Sequence, residues 1–522
     1  MANAHNWSPG VNPWFIAAAM ILPTFMVALD TSVANVALPH IAGSLSATID
    51  EATWVLTSYL VANAIVLPIS GRLAQFLGRR RFLIIAMVAF IISSLACGAA
   101  FNLDMVIIAR VLQGASGGAL IPIAQAILLE SFPHSKRGEA MAVYAIGVIV
   151  APVIGPTLGG WITDNYSWRW IFYINLPVCM LAILLTRLLI EDPPYIRAKA
   201  PKSVDYLGFI LMAVGLGALQ VVLDRGQISD WFSALWVWLA VIASGVCLLG
   251  FVIRELTARE PIVDLHILAN RNYAVGLVLA MVYSIALYGT LVILPLFLQN
   301  LMGYTALASG LVMTPRGMGA LVSVIFVGRL VGKIDARIMI ITGLIVFSFA
   351  CFLFGEFNLE ISMSSVIWPN VIMGLGLGMI FVPVTTLAVG TLPNETIGNA
   401  TGLYNLMRGM GGSIGIAVVT TLLARHAQLH QSMIVSHLTP YDPAFRQSFH
   451  GVTELFSTQC DPVTAMRKAY RSIYHILVVQ STLLAYMDNY RLLGFFSLLG
   501  VPIAMLFKRV AVKRTIHPSL EP

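Results

Sequence analysis

Apolar residues along this chain come in long unbroken runs, not in the alternation of a half-buried strand. A helix needs roughly 20 such residues to cross about 30 Å of hydrocarbon, and runs of that length recur fourteen times. The expected spans are 13–38, 53–72, 82–100, 105–129, 139–161, 170–190, 205–224, 235–254, 272–298, 306–327, 338–357, 365–390, 400–424 and 475–507. Polar residues gather in short turns between them. The last span is overlong and is interrupted by MDNYR at 487–491.

Composition agrees with that pattern. Hydrophobic residues make up 58% of the chain and charged residues 11%, against about 25% charged in a soluble domain. The expected fold is an all-α integral membrane protein. The net charge of +7 points to topology and not to nucleic acid, because most Lys and Arg fall in short connections. With the N-terminus in the cytoplasm, nineteen of them lie inside, among them Arg72, Arg79, Arg80, Arg81, Lys136, Arg137, Arg197, Lys199, Lys202, Arg509, Lys513 and Arg514. The short outer connections hold only Arg169 and Arg225. That asymmetry places both termini in the cytoplasm. The opening stretch MANAHNWSPGVNPW has no Lys or Arg ahead of its apolar run and reads as an uncleaved first helix. Cys97, Cys179, Cys247, Cys351 and Cys460 suggest packing and no disulfide framework.

An internal echo organises the spans. GRLAQFLGRRR at 71–81 follows the second, and GRLVGKIDARI at 328–338 follows the tenth. Each sits second in a block of six. The expected domains are therefore an N-terminal six-helix bundle at 1–200, an inserted two-helix hairpin at 201–258, and a C-terminal six-helix bundle at 259–522 with a long outer loop at about 425–474. Two pseudo-symmetric bundles around a midplane site suit alternating access.

Further motifs carry a family resemblance over nearly the whole chain. They are LDTSVANVALP at 29–39, ARVLQGASGGA at 109–119, APVIGPTLGG at 151–160, WRWIFYINLP at 168–177, LDRGQISDWF at 223–232, LPLFLQNLMGYTALASG at 294–310 and NATGLYNLMRGMGGSIG at 399–415. In this order they resemble the major facilitator superfamily, and within it the 14-helix drug:proton antiporters of the EmrB/QacA type. The resemblance implies a proton-driven multidrug efflux antiporter of the bacterial inner membrane, not an enzyme, needing no cofactor and exporting amphiphilic or weakly acidic toxic compounds. It also implies a periplasmic membrane-fusion adaptor (EmrA-like) and an outer-membrane channel (TolC-like) as partners. Conformational residues carried over from the loop and antiporter motifs are Gly71, Gly78, Arg79, Gly155, Pro156, Gly159 and Gly160, of which the last four are expected to interrupt the fifth helix, permitting a kink and close approach to a neighbour. The usual acidic residue of the loop motif is Gln75 here, so a charge-based latch in the N-terminal half is in doubt and Asp335 of the second copy is the substitute.

Asp30 is the most informative residue. A carboxylate inside a membrane span costs a few kcal/mol and usually marks a proton or ion pathway. Counted at 1.5 Å per residue, Asp30 lies about 25 Å beyond Pro13 and Arg110 about 8 Å inside the fourth span, which puts both in the outer half of the bilayer. Burial favours the neutral acid and a nearby cation favours the carboxylate. A change in their separation would therefore switch the acid between holding and releasing a proton. The energy source is the proton gradient, since the chain has no G-x-x-x-x-G-K-[ST] phosphate loop.

Arg316 and Arg408 also fall inside spans and favour neutral or weakly acidic amphiphiles over dications. Asn35, Gln113, Tyr288, Phe297, Gln299, Phe381 and Asn405 complete the expected cavity lining, each with helix packing as its plainer role. GGSIG at 411–415 fits a serine-hydrolase pattern but sits in a membrane helix, so Ser413 is a packing residue. Two other readings remain open. A proton-coupled symporter or a dedicated metabolite exporter shares the fold, and a membrane transferase would need a cluster in the outer loop, where His426, His430, His437 and His450 read as scattered solvated residues.

Overall fold

The computed structural model describes residues 9–193, 205–331 and 333–508. Arg197, Lys199, Lys202, Arg509, Lys513, Arg514 and the expected boundary at 200/201 lie outside the described residues.

The described chain is helical. The first bundle comprises α1 (Pro13–Ser44), α2 (Trp54–Leu77), α3 (Arg79–Ala99), α4 (Leu103–Ser131), α5 (Arg137–Asn165) and α6 (Asn175–Leu189). The inserted hairpin is α7 (Tyr206–Arg225) and α8 (Leu235–Thr257). The second bundle comprises α9 (Arg271–Leu296), α10 (Ala306–Leu330), α11 (Ala336–Phe354), α12 (Met363–Ala388) and α13 (Asn394–Val435), then a short α14 (Pro443–Ser457) and α15 (Pro462–Leu498). Helix starts are written locally, because a side-chain oxygen at the N-cap satisfies one of the free N–H groups of the first turn. Asn102 accepts from Met105, Asn270 from Tyr273, and Asp461 from Thr464. Gly78 breaks α2 from α3 with φ of +84°, a conformation that glycine adopts without strain.

Among the described residues thirteen helices are long and apolar enough to cross a membrane. The fourteenth, α15, carries Arg467, Lys468 and Arg471 in its first half, while its second half buries Leu483, Tyr486, Tyr490 and Leu493. The chain is thus an all-α, multi-pass membrane protein of fourteen membrane helices.

Helix pairing in the second bundle repeats that in the first. α1 packs on α4, α5 and α6, and α9 packs on α12, α13 and α15. α4 packs on α2 and α3, as α12 does on α10 and α11. The closest crossings match too. A Cβ on Gly114 would stand 2.3 Å from the carbonyl oxygen of Tyr59, and one on Gly374 would stand 2.0 Å from that of Arg316. Only a glycine lets backbones approach so closely. The bundles meet along two matching seams, α2 with α13 and α5 with α10, and α7 lies against both α2 and α13.

Two expectations need correction. The outer segment is not a loop from 425 to 474: α13 runs 42 residues, about 63 Å at 1.5 Å per residue, and α15 begins at Pro462. Its first half is polar enough to hide its helicity from a hydropathy count. Likewise α5 stays helical through Pro152 and Pro156, because the glycines of its antiporter motif serve close contact instead of interrupting the helix. A Cβ at Gly155 would meet Ser32 Oγ at 2.3 Å, and one at Gly159 would meet Val33 Cγ1 at 3.0 Å. Gly160 is looser, with Val36 at 4.0 Å.

Candidate functional site

Asp30 lies on α1, 2% exposed, and Arg110 on α4 is fully buried. Arg110 Nη1 donates to Asp30 Oδ2 at 2.6 Å and to Gln113 Oε1 at 2.7 Å, while its Nε donates to the Val55 carbonyl at 3.0 Å. The other carboxylate oxygen accepts two amides: Gln113 Nε2 at 2.9 Å and Asn175 Nδ2 at 2.7 Å. Gln113 also donates to Ser94 Oγ at 2.7 Å. The guanidinium stacks over Tyr59, with Cζ 4.1 Å from the ring centroid. Donors from α4 and α6 thus meet the carboxylate of α1, with α2 and α3 completing the network, and its charge is compensated where an unpaired one would be prohibitive.

The expected pair is therefore in contact, and Gln113 belongs to it and not to an open cavity wall. Asn175, Ser94 and Tyr59 were missed. Asn175 had a signal, an amide inside the apolar stretch FYINLP.

A second polar group lies between the bundles. Arg408 on α13 is half-buried, its Cζ 5.8 Å from the Phe381 ring centroid. Tyr288, Tyr283, Tyr144 and Tyr404 are its electrostatic neighbours, drawn from both bundles. Next to it Asn405 Nδ2 donates across the seam to Gln125 Oε1 at 2.6 Å.

The remaining expected lining residues separate. Phe297 is 2% exposed and packs in the second bundle against Tyr486 and Phe357, so it is core. Gln299 is exposed in the π-helical turn Phe297–Leu301 that ends α9, away from Arg408. Arg316 is 4% exposed and turns into its own bundle, donating to Thr290 Oγ1 at 2.8 Å. Asn35 is exposed on α1. Ser413 shares hydrogen bonds with Gln220 of α7, a helix-packing role.

At the face where α1 begins and α15 ends, the bundles are tied together. Arg137 Nη1 donates to the Gly390 carbonyl at 2.6 Å, and its Nη2 donates to Asn394 Oδ1. A Cβ on Gly71 would stand 2.3 Å from the Gly398 carbonyl oxygen. Arg79 forms an ion pair with the buried Glu130, a partner that sequence reading overlooked, and also borders Gly398. Gly78 lies against Asp192, whose carboxylate accepts from the Arg80 amide at 2.9 Å. Asp335 caps its own helix through Arg337. A tie between the bundles is thus made by Arg137, with His134 approaching the same Gly390 carbonyl. At the opposite face a Cβ on Gly310 would meet Thr157 Oγ1 only at 3.7 Å and Pro156 at 3.9 Å.

At that face His426 and His430, one turn apart on α13, both approach Asp488 Oδ2, at 3.6 and 2.7 Å. They are not scattered loop residues.

Known proteins agree with this architecture. The Major Facilitator Superfamily model matches residues 20–416. The fatty acid resistance protein FarB of Neisseria gonorrhoeae is 38% identical over 434 residues, 83% of this chain and 85% of its own length. The multidrug export protein EmrB of Escherichia coli K12 is 36% identical over 84% of this chain and 86% of its own. The colistin resistance protein EmrB of Acinetobacter baumannii is 30% identical over 93% and 94%. Among solved structures, the human organic anion transporter MFSD10 superposes with a TM-score of 0.60 at 12% identity, over 94% of this chain and 100% of that one. The proton:xylose symporter XylE gives 0.60 at 14%, over 95% and 99%, and both show a shared fold. The chain belongs to the Major Facilitator Superfamily, as an EmrB-like membrane transporter and not an enzyme.

Proposed function

We propose that this chain is a proton-driven multidrug efflux antiporter of the bacterial inner membrane, with both termini in the cytoplasm. The observation that carries the reading is the Asp30–Arg110 pair, a buried titratable group at the centre of a hydrogen-bonded network drawn from α1, α2, α3, α4 and α6. In this orientation the face tied by Arg137 is cytoplasmic, and the conformation is closed to the cytoplasm. Asp30, ion-paired here, awaits a proton from the outer side.

The step follows from charge balance. Protonation of Asp30 leaves Arg110 without its anion, so α1 shifts relative to α4. α1 is keyed into α5 at Ser32–Gly155 and Val33–Gly159, and α5 is keyed into α10 at Val153–Gly317. The shift therefore reaches the seam between the bundles and the Arg137 tie, which opens the cytoplasmic side. Release of the proton inward re-forms the pair. One charge crossing about 150 mV supplies roughly 3.5 kcal/mol, a few hundredfold in accumulation of a neutral substrate.

Arg408, with Phe381 and its four tyrosines, forms the substrate site. A cation among aromatic rings suits an amphiphile with an acidic head and an apolar body, and a relative named for fatty acid resistance supports that class. We retain the domain division at about 200 and 258, which the repeated helix pairing of the two bundles supports, and the protein works with a periplasmic adaptor and an outer-membrane channel. The test is substrate-evoked proton release from inverted inner-membrane vesicles of a pump-deficient cell, followed with a pH-sensitive dye. Decanoate should release protons from vesicles holding the wild-type chain and not from those holding Asp30→Asn. Equal release by both would end the proposal.

A further inference from the structure

Arg110 and Arg316 are buried in mid-span, one in each bundle, and among the described residues only Arg110 is paired with a carboxylate. Arg110 is matched by Asp30. Arg316 is 4% exposed, and its Nη2 meets Thr290 Oγ1 at 2.8 Å and the Leu287 carbonyl at 3.5 Å. Among the described residues its Nε and Nη1 have no hydrogen-bond partner. Thr290 passes its own hydroxyl proton to the Leu287 carbonyl at 2.9 Å, so it offers Arg316 a neutral oxygen and no negative charge.

The chain cannot supply the missing anion locally. Helices α9, α10, α11 and α12 contain no Asp or Glu at all. On α15 the only carboxylate is Asp488, which is engaged by His430 at 2.7 Å. On α13 the only one is Glu395, in its first turn and at the opposite end of the membrane. A guanidinium removed from water without an opposite charge is strongly disfavoured. A second orphan lies beside it: Tyr490 of α15 is 2% exposed, its hydroxyl has no partner among the described residues, and it is an electrostatic neighbour of Arg316.

We propose that Arg316 and Tyr490 hold a small monovalent anion, of which chloride is the abundant example, as a structural ion inside the second bundle. Two unused guanidinium N–H groups and an unused phenolic O–H are the donor set a halide accepts from. The enclosure of Arg316 excludes the head group of an amphiphile, whose tail would have to pass between packed helices. Arg408, half-buried at the seam, remains the cation open to that class. The inference does not depend on the proton reading of Asp30.

The test uses the purified full-length chain in detergent, with thermal unfolding followed by tryptophan fluorescence while chloride replaces gluconate at constant ionic strength. The wild-type melting temperature should rise saturably with chloride. Arg316→Gln should abolish the response, Tyr490→Phe should raise the half-saturating chloride severalfold, and Arg408→Gln should leave it unchanged. If Arg316→Gln does not fold, Tyr490→Phe and Arg316→Lys carry the same comparison. A wild-type melting temperature indifferent to chloride would overturn the proposal, as would a chloride response that survives Arg316→Gln. Decanoate reproducing the shift in chloride-free buffer, with the effect lost in Arg316→Gln, would assign the site to substrate and overturn it as well.

Discussion

Asp30 Oδ2 and Arg110 Nη1 stand 2.6 Å apart, and the two side chains come from α1 and α4 of the same bundle. Their contact is therefore a gauge of how those helices sit against each other. Any event that removes the charge of Asp30 acts on both helices at once.

Substituting Asp30→Asn keeps size but removes the titratable proton and turns one of two accepting oxygens into a donor. Proton-coupled export should fall to the background of empty vesicles while the protein remains in the membrane. The melting temperature should also drop, because breaking a buried pair from one side costs about 3–5 kcal/mol. Full transport driven by a pH gradient in that variant would show that the proton is carried elsewhere.

Arg110→Gln tests the same contact from the other side. Alone it leaves a buried carboxylate without its cation and should destabilise as strongly as the first change. Combined with Asp30→Asn it leaves two amides, and the double variant should recover about 1–3 kcal/mol relative to the sum of the singles. Transport should stay absent in all three. Additive losses of stability would mean the two residues are not coupled.

Much of this was readable from residues alone, and the failures have physical causes. Asp30, Arg110 and Gln113 were identifiable because a membrane span makes every polar residue conspicuous. Glu130 was not singled out, since it closes a helix at the membrane boundary, where an acid is unremarkable. Arg316 and Arg408 look alike in sequence, but helix rotation turns one into the bundle and leaves the other at the seam. The full length of α13 and α15 was illegible because their far ends leave the apolar layer while the helix continues, so hydropathy and helicity part company there.

Closure of the cytoplasmic face should depend on contacts that a side chain can spoil. Gly71→Val would force a Cβ into the Gly398 carbonyl, and Arg137→Ala would remove two charge-assisted hydrogen bonds, each worth about 1.5–3 kcal/mol. Both should shift the population toward the cytoplasm-open state, at least about tenfold per 1.4 kcal/mol. Ser70, fully buried on α2, reports the change. In a cysteine-free chain, Ser70→Cys should react faster with an impermeant thiol reagent from the cytoplasmic side when either substitution is present. Unchanged reactivity in both would mean that these contacts do not hold the face shut.

The far end of the second bundle carries the last prediction. α14 has no buried residue, yet it is held in place, with Phe449 4.5 Å from Tyr470 of α15 and Lys468 over Phe456 at 5.7 Å. A helix that contributes nothing to the core but is pinned by aromatic contacts adds surface, not stability. Leu455 on α14 and Val463 at the start of α15 are each 63% exposed. In the proposed orientation this surface faces the periplasm, where a membrane-fusion adaptor would meet the transporter. Deleting residues 437–460 removes α14 and joins Ser436, just past the end of α13, to Asp461, just before the start of α15. Adaptor co-purification should be lost, whereas proton-driven uptake into inverted inner-membrane vesicles, which needs no adaptor, should be largely retained. Retained adaptor binding would place the docking surface elsewhere, and loss of vesicle transport would make the extension part of the transport machinery itself.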